Sequence, residues 1–348
     1  MNETQIKTQK FIIKYFTEIM IKGTTAKRQM ISQVYNNLVN ILSKISKDIK
    51  VRKFFDKVEV VCPIEVVAEV RMRLLDTPGI QQILEAVQFD NMNTLDDIKV
   101  VVNETMAHEI QGKTFVVRCK RMGTQEFKST QVEQTVGGYM LAMNDTKGVA
   151  LKGAEYTINL ELEFAQLNII THKHMGMGGF PIGSQGSILS LMSGGFDSTV
   201  ASYLTMKRGI KTHFIFFNLG GIAHEIGVKQ VAYYLWNKFG SSHRVQFISI
   251  PFDDVVTEIF KSVSEPYMGV MLKRLMLQAS EKIANEMKID ALVTGESVAQ
   301  VSSQTLRNIA LIDHATNKLV LRPLSMMSKP DIMEIANKIG TTKFAESM

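Results

Sequence analysis

Apolar and polar positions follow two rhythms along this chain, and the rhythm changes near residue 187. In the first half, short strand-like runs are mixed with longer amphipathic ones. The pattern predicts a strand over 11–15, a helix over about 26–45 behind Thr24 and Thr25, a second strand over 58–62 and a helix over 64–74. Pro78-Gly79 marks a turn. A helix near 95–109 then leads to a strand over 114–119, a helix around 129–143, and strands near 156–163 and 168–171. The glycine-rich run from Met175 to Gly183 reads as a linker. From Ser187 onward, strands over 188–192, 213–218, 245–250 and 291–294 alternate with helices up to 207 and over about 225–239, 253–263 and 269–287. Such a βαβ series implies a parallel sheet with helices on both faces. The expected division is a small α+β unit over 1–76, a second unit over 77–174, a linker over 175–186 and an α/β unit over 187–348.

Composition narrows the class. The chain has 348 residues, 45% hydrophobic and 21% charged, with only 7 prolines. That is a globular composition, long enough for two or three domains at roughly 100–200 residues each. The apolar runs are too short and interrupted to cross a membrane, and the first ten residues lack a signal-peptide core. There are 2 cysteines, Cys62 and Cys119, without metal-ligand spacing. A reduced, cytoplasmic protein is expected. The net charge of +6 favours an anionic partner such as nucleic acid, but only weakly. Its distribution says more: between Lys113 and Lys128 stand five basic side chains and one acidic one, Glu126.

The sharpest chemical signal is Ser193-Gly194-Gly195-Phe196-Asp197-Ser198, between an apolar strand and a helix. Glycines let the backbone turn tightly and approach a ligand. N–H groups at the turn and the helix start then point at an anion. Ser193 and Ser198 can add hydroxyls. Asp197 would repel phosphate directly, so its natural role is through Mg²⁺, which bridges carboxylate and phosphate oxygens. The plain alternative is an ordinary strand–helix turn with a Ser or Asp cap. A Walker A loop is excluded: before Gly112-Lys113-Thr114 the required earlier glycine is Ala107, and a strand follows instead of a helix.

The whole string resembles the PP-loop of the ATP pyrophosphatases, which cleave ATP between the α- and β-phosphates. Further stretches narrow the family. Phe217-Asn-Leu-Gly-Gly221 with Ala223-His-Glu-Ile-Gly227, Met268-Gly-Val-Met-Leu-Lys-Arg274, Val293-Thr-Gly-Glu-Ser297 and Gln300-Val-Ser-Ser-Gln-Thr305 are similar to the tRNA 4-thiouridine synthetases. Those tRNA sulfurtransferases also serve thiamine thiazole synthesis. Lys10-Phe-Ile-Ile-Lys14 and Glu18-Ile-Met-Ile-Lys-Gly23 resemble their N-terminal ferredoxin-like domain. Gly112-Lys-Thr-Phe-Val-Val-Arg-Cys-Lys-Arg121, with Gly123, Phe127, Val136 and Gly137-Gly138, resembles their THUMP domain. The likeness covers nearly the whole chain in one order. It implies an α/β chain: a parallel-sheet, Rossmann-like PP-loop domain preceded by ferredoxin-like and THUMP domains.

The resemblance also implies site residues. Leu191 and Met192 would lie against adenine or ribose through backbone atoms. Lys273, Gly295 and Gln304 would complete the ATP site begun by Ser193, Gly194, Gly195, Asp197 and Ser198. Lys329 would be a second phosphate-facing lysine, and Asp197, Lys273 and Lys329 the catalytic set. Read alone, Lys273 could be a solvated helix lysine, although its apolar surroundings and Arg274 favour phosphate. Lys329 could be a surface lysine. Arg118, Lys120, Arg121 and Lys128 could be a solvated strand face or RNA-backbone contacts, and the THUMP resemblance favours RNA. His224 could be a base, a contact near ATP or a helix-start histidine without a catalytic duty. His172 and His174 have no metal partner in spacing, and the 21 methionines fit core packing.

The implied reaction transfers AMP from Mg-ATP to O4 of a tRNA uridine, after which sulfur displaces AMP. By the same resemblance, the sulfur comes as a persulfide from a cysteine desulfurase, a thiamine sulfur-carrier protein is a further partner, and the protein is a homodimer. Sulfur relay needs a thiolate cysteine near the site. Residues 181–348 contain none, whereas family members continue past the equivalent of Phe344–Met348 into a cysteine-bearing segment and, in longer ones, a rhodanese domain. The expectation is that residues 1–348 bind ATP and tRNA but lack the relay cysteine, with Cys119 packed, not catalytic. Two other readings stay open: another PP-loop tRNA-modifying or amidating ligase, and a non-catalytic RNA-binding module.

Overall fold

The computed structural model describes residues 8–123, 126–219 and 221–346. Gly220 of the Phe217–Gly221 motif, the polar start before Thr8 and the last two residues of the expected α/β unit lie outside that range. The fold comprises two compact units that interleave in sequence. One is made of residues up to 14, 46–71 and 82–175; the other of 15–45, 72–81 and 176–348.

The first unit is built on an eight-stranded sheet. Its strands are β1 (Thr8–Tyr15), β2 (Lys50–Lys53), β3 (Lys57–Pro63), β4 (Ile80–Phe89), β5 (Thr114–Met122), β6 (Gly148–Val149), β7 (Tyr156–Glu163) and β8 (Gln166–Gly178). Their order is β2-β3-β1-β4-β8-β7-β5-β6. Period-two alternation makes one face apolar. Ile158, Leu160 and Leu162 of β7 join Phe115 and Val117 of β5, against Ile98, Val102 and Met106 of the helix Leu95–Ile110 and Val132, Val136 and Met140 of the helix Ser129–Met143. The opposite face is polar, with Arg118 beside Asn159 and Lys120 beside Glu161 in register. Buried charges on it are paired: Lys10 and Lys57 both reach Glu59, and Lys57 reaches Glu163.

The second unit carries the five-stranded sheet expected from the βαβ pattern. β9 (Ser187–Leu191), β10 (Lys211–Asn218), β11 (Phe247–Pro251), β12 (Ala291–Val293) and β13 (Leu319–Leu321) run in the order β11-β10-β9-β12-β13, all parallel. Helices Phe196–Lys207, Ile222–Leu235 and Lys329–Ile339 bury Val200, Val231 and Ala336 on one face. Helices Met268–Glu286 and Leu306–Asp313 bury Leu277, Ala284 and Ile312 on the other. The strand order reverses between β9 and β12. That is where an open α/β sheet splays the loops at its carboxyl edge and forms a crevice.

Three local expectations need correction. The strand over 168–171 is part of a longer β8 that runs through Met175–Gly178, so the glycine-rich run is not all linker. The reason is steric: a Cβ on Gly176 would collide with the backbone of Ile80. The helix over 225–239 ends at Leu235 and continues as a π-helical turn, Trp236–Gly240. The pattern did not predict β2, β4, β13 or the helices Leu306–Asp313 and Lys329–Ile339.

Candidate active site

The loop after β9 is held open by its own serines. Gly194 has φ +86, a left-handed conformation that glycine adopts without strain. The Ser193 N–H donates to Ser198 Oγ at 3.1 Å, and Ser198 Oγ donates to Gly195 O at 3.3 Å. Ser198 is buried, so its hydroxyl staples the loop and is not a free phosphate donor, whereas Ser193 is exposed. The helix Phe196–Lys207 starts directly behind Gly195, which aims the partial positive charge of its first turn into the crevice. Met192 is tied down: its N–H donates to Ile215 O at 2.8 Å and its side chain is buried.

The loop after β12 closes the crevice from the other side. A Cβ on Gly295 would lie 2.6 Å from both Asp197 C and Ser198 N. Glycine there is a condition for the two loops to meet. Together they bound a cleft of about 210 Å³. Its lining combines apolar side chains, Leu191, Met276, Leu277 and Ile312, with the charged Asp197 and Lys273. Gln304 lines it and accepts from the Ser297 N–H at 3.4 Å through Oε1.

Lys273 lines the cleft and Lys329 reaches Asp197 at its wall, so each expected lysine is paired with a carboxylate. Lys329 Nζ donates to Asp197 Oδ1 at 2.7 Å, and Gln300 Nε2 donates to Asp197 Oδ2 at 2.9 Å. Lys273 Nζ donates to Glu296 Oε1 at 3.1 Å. Glu296 also accepts from Arg322 Nε at 2.9 Å and Thr294 Oγ1 at 3.0 Å. Burial pushes the Glu296 carboxyl up, but Lys273 and Arg322 outweigh it and hold the group below the usual carboxylate range. Sequence reasoning quoted Glu296 and Gln300 within motifs without assigning them a role, and missed Arg322 altogether. A glutamate inside Val293–Ser297, directly after a buried strand, was the available signal. His224 Nε2 lies 3.0 Å from Ser193 O and edge-on to Phe216, so it sits against the phosphate loop.

The donors suit a nucleotide. The apolar side chains can hold a base, and backbone N–H groups, Lys273 and Lys329 can hold phosphates once the lysines are released from their carboxylates. Among the described residues no cluster of three His, Cys, Asp or Glu side chains could hold a metal. Asp197 alone fits Mg²⁺ that arrives on phosphate, since that ion is commonly bound by one carboxylate plus phosphate oxygens and waters.

The basic stretch divides between faces. Arg118 and Lys120 are exposed on β5, while Arg121 points the other way, half-buried, and donates to Gly123 O at 3.1 Å. Arg118 donates to Leu151 O at 2.8 Å, and Lys128 is exposed at the start of the helix Ser129–Met143. Neither cysteine suits nucleophilic work: burial pushes the Cys62 thiol up to about 11 and the Cys119 thiol up to about 12. His174 bonds Glu85 at 2.7 Å, which places it in an ion-paired cluster with Arg71.

Comparison with known proteins gives the same reading along the whole chain. Residues 183–348 match the family described as thiamine biosynthesis protein (ThiI), and residues 92–170 match the THUMP domain. A tRNA sulfurtransferase of Shewanella amazonensis is 47% identical over 345 residues, covering 97% of this chain and 70% of that protein. One from Aeromonas hydrophila is 48% identical over 340 residues, with the same coverage of 97% and 70%. The crystal structure of a 4-thiouridine synthetase–RNA complex with bound ATP superposes with a TM-score of 0.86 at 24% identity, covering 98% of this chain and 87% of that one. The structure of PH1313 from Pyrococcus horikoshii has a TM-score of 0.72 at 18% identity, covering 95% of this chain and 99% of that one. The two structures establish the fold, and the sequence identity establishes descent: the chain belongs to the tRNA sulfurtransferase family.

Proposed function

We propose that this chain uses ATP to activate O4 of a uridine in tRNA for replacement by sulfur, giving 4-thiouridine. The observation that carries the reading is the convergence of Ser193, Asp197, Ser198 and Lys273 on one cleft at the switch point of a parallel sheet, with Lys329 bonded to Asp197. The family's activity toward tRNA, and the RNA and ATP held by the related synthetase, support the choice of substrates. Uridine O4 attacks the α-phosphorus, the bond to the β-phosphate breaks, and pyrophosphate leaves. N–H groups at the start of the helix Phe196–Lys207 and the two lysines stabilise charge on the phosphoryl oxygens. Asp197 would hold a magnesium ion that arrives with ATP, which would neutralise further charge there. A sulfur nucleophile then attacks C4 and expels AMP.

The sulfur donor is a persulfide from a cysteine desulfurase: its outer sulfur forms the bond to C4 as AMP leaves, and a second thiol then breaks the S–S bond, releasing 4-thiouridine and leaving a disulfide that an external thiol reductant reopens. The same chemistry serves a thiamine sulfur-carrier protein. The chain works in the cytoplasm as a homodimer, with tRNA held mainly by residues 1–180 through the exposed Arg118, Lys120 and Lys128, and Arg121 on the other face of β5 contributing only charge. Residues 1–76 act as the ferredoxin-like domain, 77–174 as the THUMP domain and 187–348 as the PP-loop domain. The experiment is acceptor-dependent ATP consumption. Pyrophosphate release should rise with tRNA and not with small carboxylic acids or xanthosine monophosphate. A rise with either of the latter would assign the chain to amidating or ligating chemistry.

A further inference from the structure

Among the described residues the side-chain amide of Gln300 makes one hydrogen bond, through its nitrogen, and leaves its oxygen without one. A carboxylate only accepts, so the group that meets Asp197 at 2.9 Å is the amide nitrogen, and the oxygen is fixed on the other side. That oxygen is buried, and among the described residues nothing donates to it. A buried acceptor without a donor is destabilising. The backbone before it is strained as well: Ala299 has φ +67, a conformation that non-glycine residues rarely adopt. The strain is held by the Ala299 N–H donating to Gln304 O at 2.9 Å and the Val298 N–H donating to Ser325 O at 3.0 Å. The loop therefore spends stability to bring an incompletely satisfied amide onto Asp197.

We propose that Gln300 is a positioning residue for the magnesium that enters on ATP: its amide nitrogen orients the Asp197 carboxylate, and its amide oxygen accepts a hydrogen bond from a water in the cation's shell. The inference rests on the ATP reading above. Magnesium held by one carboxylate and phosphates keeps several waters, and those waters are donors. Such outer-shell partners usually change metal affinity about 10–100-fold when removed. A hydroxyl or amine of the nucleotide could also satisfy the oxygen, but its contribution would persist without metal.

The test is equilibrium binding of α,β-methylene-ATP by calorimetry, with EDTA and across a magnesium titration. Gln300→Met keeps the length and removes both hydrogen-bonding groups. It should raise the magnesium midpoint about tenfold and leave the affinity in EDTA within about twofold of the parent. An unchanged magnesium midpoint in Gln300→Met, or an equal loss with and without magnesium, would overturn the proposal. A parent that binds no nucleotide at all would instead refute the ATP reading beneath it.

Discussion

At Gly295 the loop after β12 passes so close to the helix Phe196–Lys207 that one methyl group would push the phosphate loop aside. Gly295→Ala should lower kcat/KM for ATP by about a hundredfold, the usual cost of misplacing a catalytic group by an ångström. Unfolding curves should shift far less than activity; equal losses would mean that the glycine serves folding alone. Glu296 sets a second residue-scale expectation. Its folded pKa is depressed, so its stabilisation is complete above the ordinary carboxylate range and is lost as pH falls through the depressed value. Glu296→Gln leaves Lys273 without its counter-charge and Arg322 with Asp313 alone, and should cost about 3 kcal/mol at neutral pH. The gap between parent and variant should close in acid, as followed by urea unfolding. A gap independent of pH would show that packing, not charge, holds Glu296.

The elements differ in how visibly the sequence announces them. The helix Ser129–Met143 and strand β9 stand out because their apolar residues keep one period and their neighbours are turn-formers. β4 hides because Glu85 interrupts the pattern, and only the fold shows that Arg71 and His174 pair with it inside. β13 has three residues, too few for any period. The phosphate loop was legible as a string. The counter-charges on its lysines were not, since Glu296 lies 23 residues from Lys273, and Asp197 lies 132 from Lys329. The start of the helix Lys329–Ile339 gives a test at this scale. Ser328 Oγ accepts from the Asp331 N–H at 3.4 Å while Asp331 accepts from the Ser328 N–H at 3.2 Å, a reciprocal cap that fixes Lys329 as the first helical residue. Ser328→Ala should cost about 1 kcal/mol and raise KM for ATP, since Lys329 loses its anchored backbone. A stability loss without any change in KM would separate the cap from the lysine.

For the whole molecule, two outcomes follow from charge and sulfur. Arg118 and Lys120 share the exposed face of β5. Reversing both charges should weaken tRNA binding whatever the tRNA sequence and flatten its salt dependence by about one unit of slope per lost phosphate contact. Parental affinity at physiological salt would leave that face merely solvated. The two cysteines have thiols raised to about 11 and about 12, so at neutral pH neither is a ready thiolate. The polypeptide 1–348, given ATP, magnesium, tRNA, a cysteine desulfurase and cysteine, should form little 4-thiouridine, and excess sulfide in place of the desulfurase should give some. Efficient desulfurase-dependent product that Cys119→Ser abolishes would make Cys119 catalytic.

All of these rest on activation of tRNA by ATP in the cleft at Asp197, whose carboxylate meets both Lys329 and Gln300. The most direct measurement is pyrophosphate release from ATP in the presence of tRNA, compared between the parent and Asp197→Ala, with circular dichroism confirming that both are folded. The parent should show tRNA-dependent release, and the variant none above background. Undiminished release by a folded Asp197→Ala would contradict it.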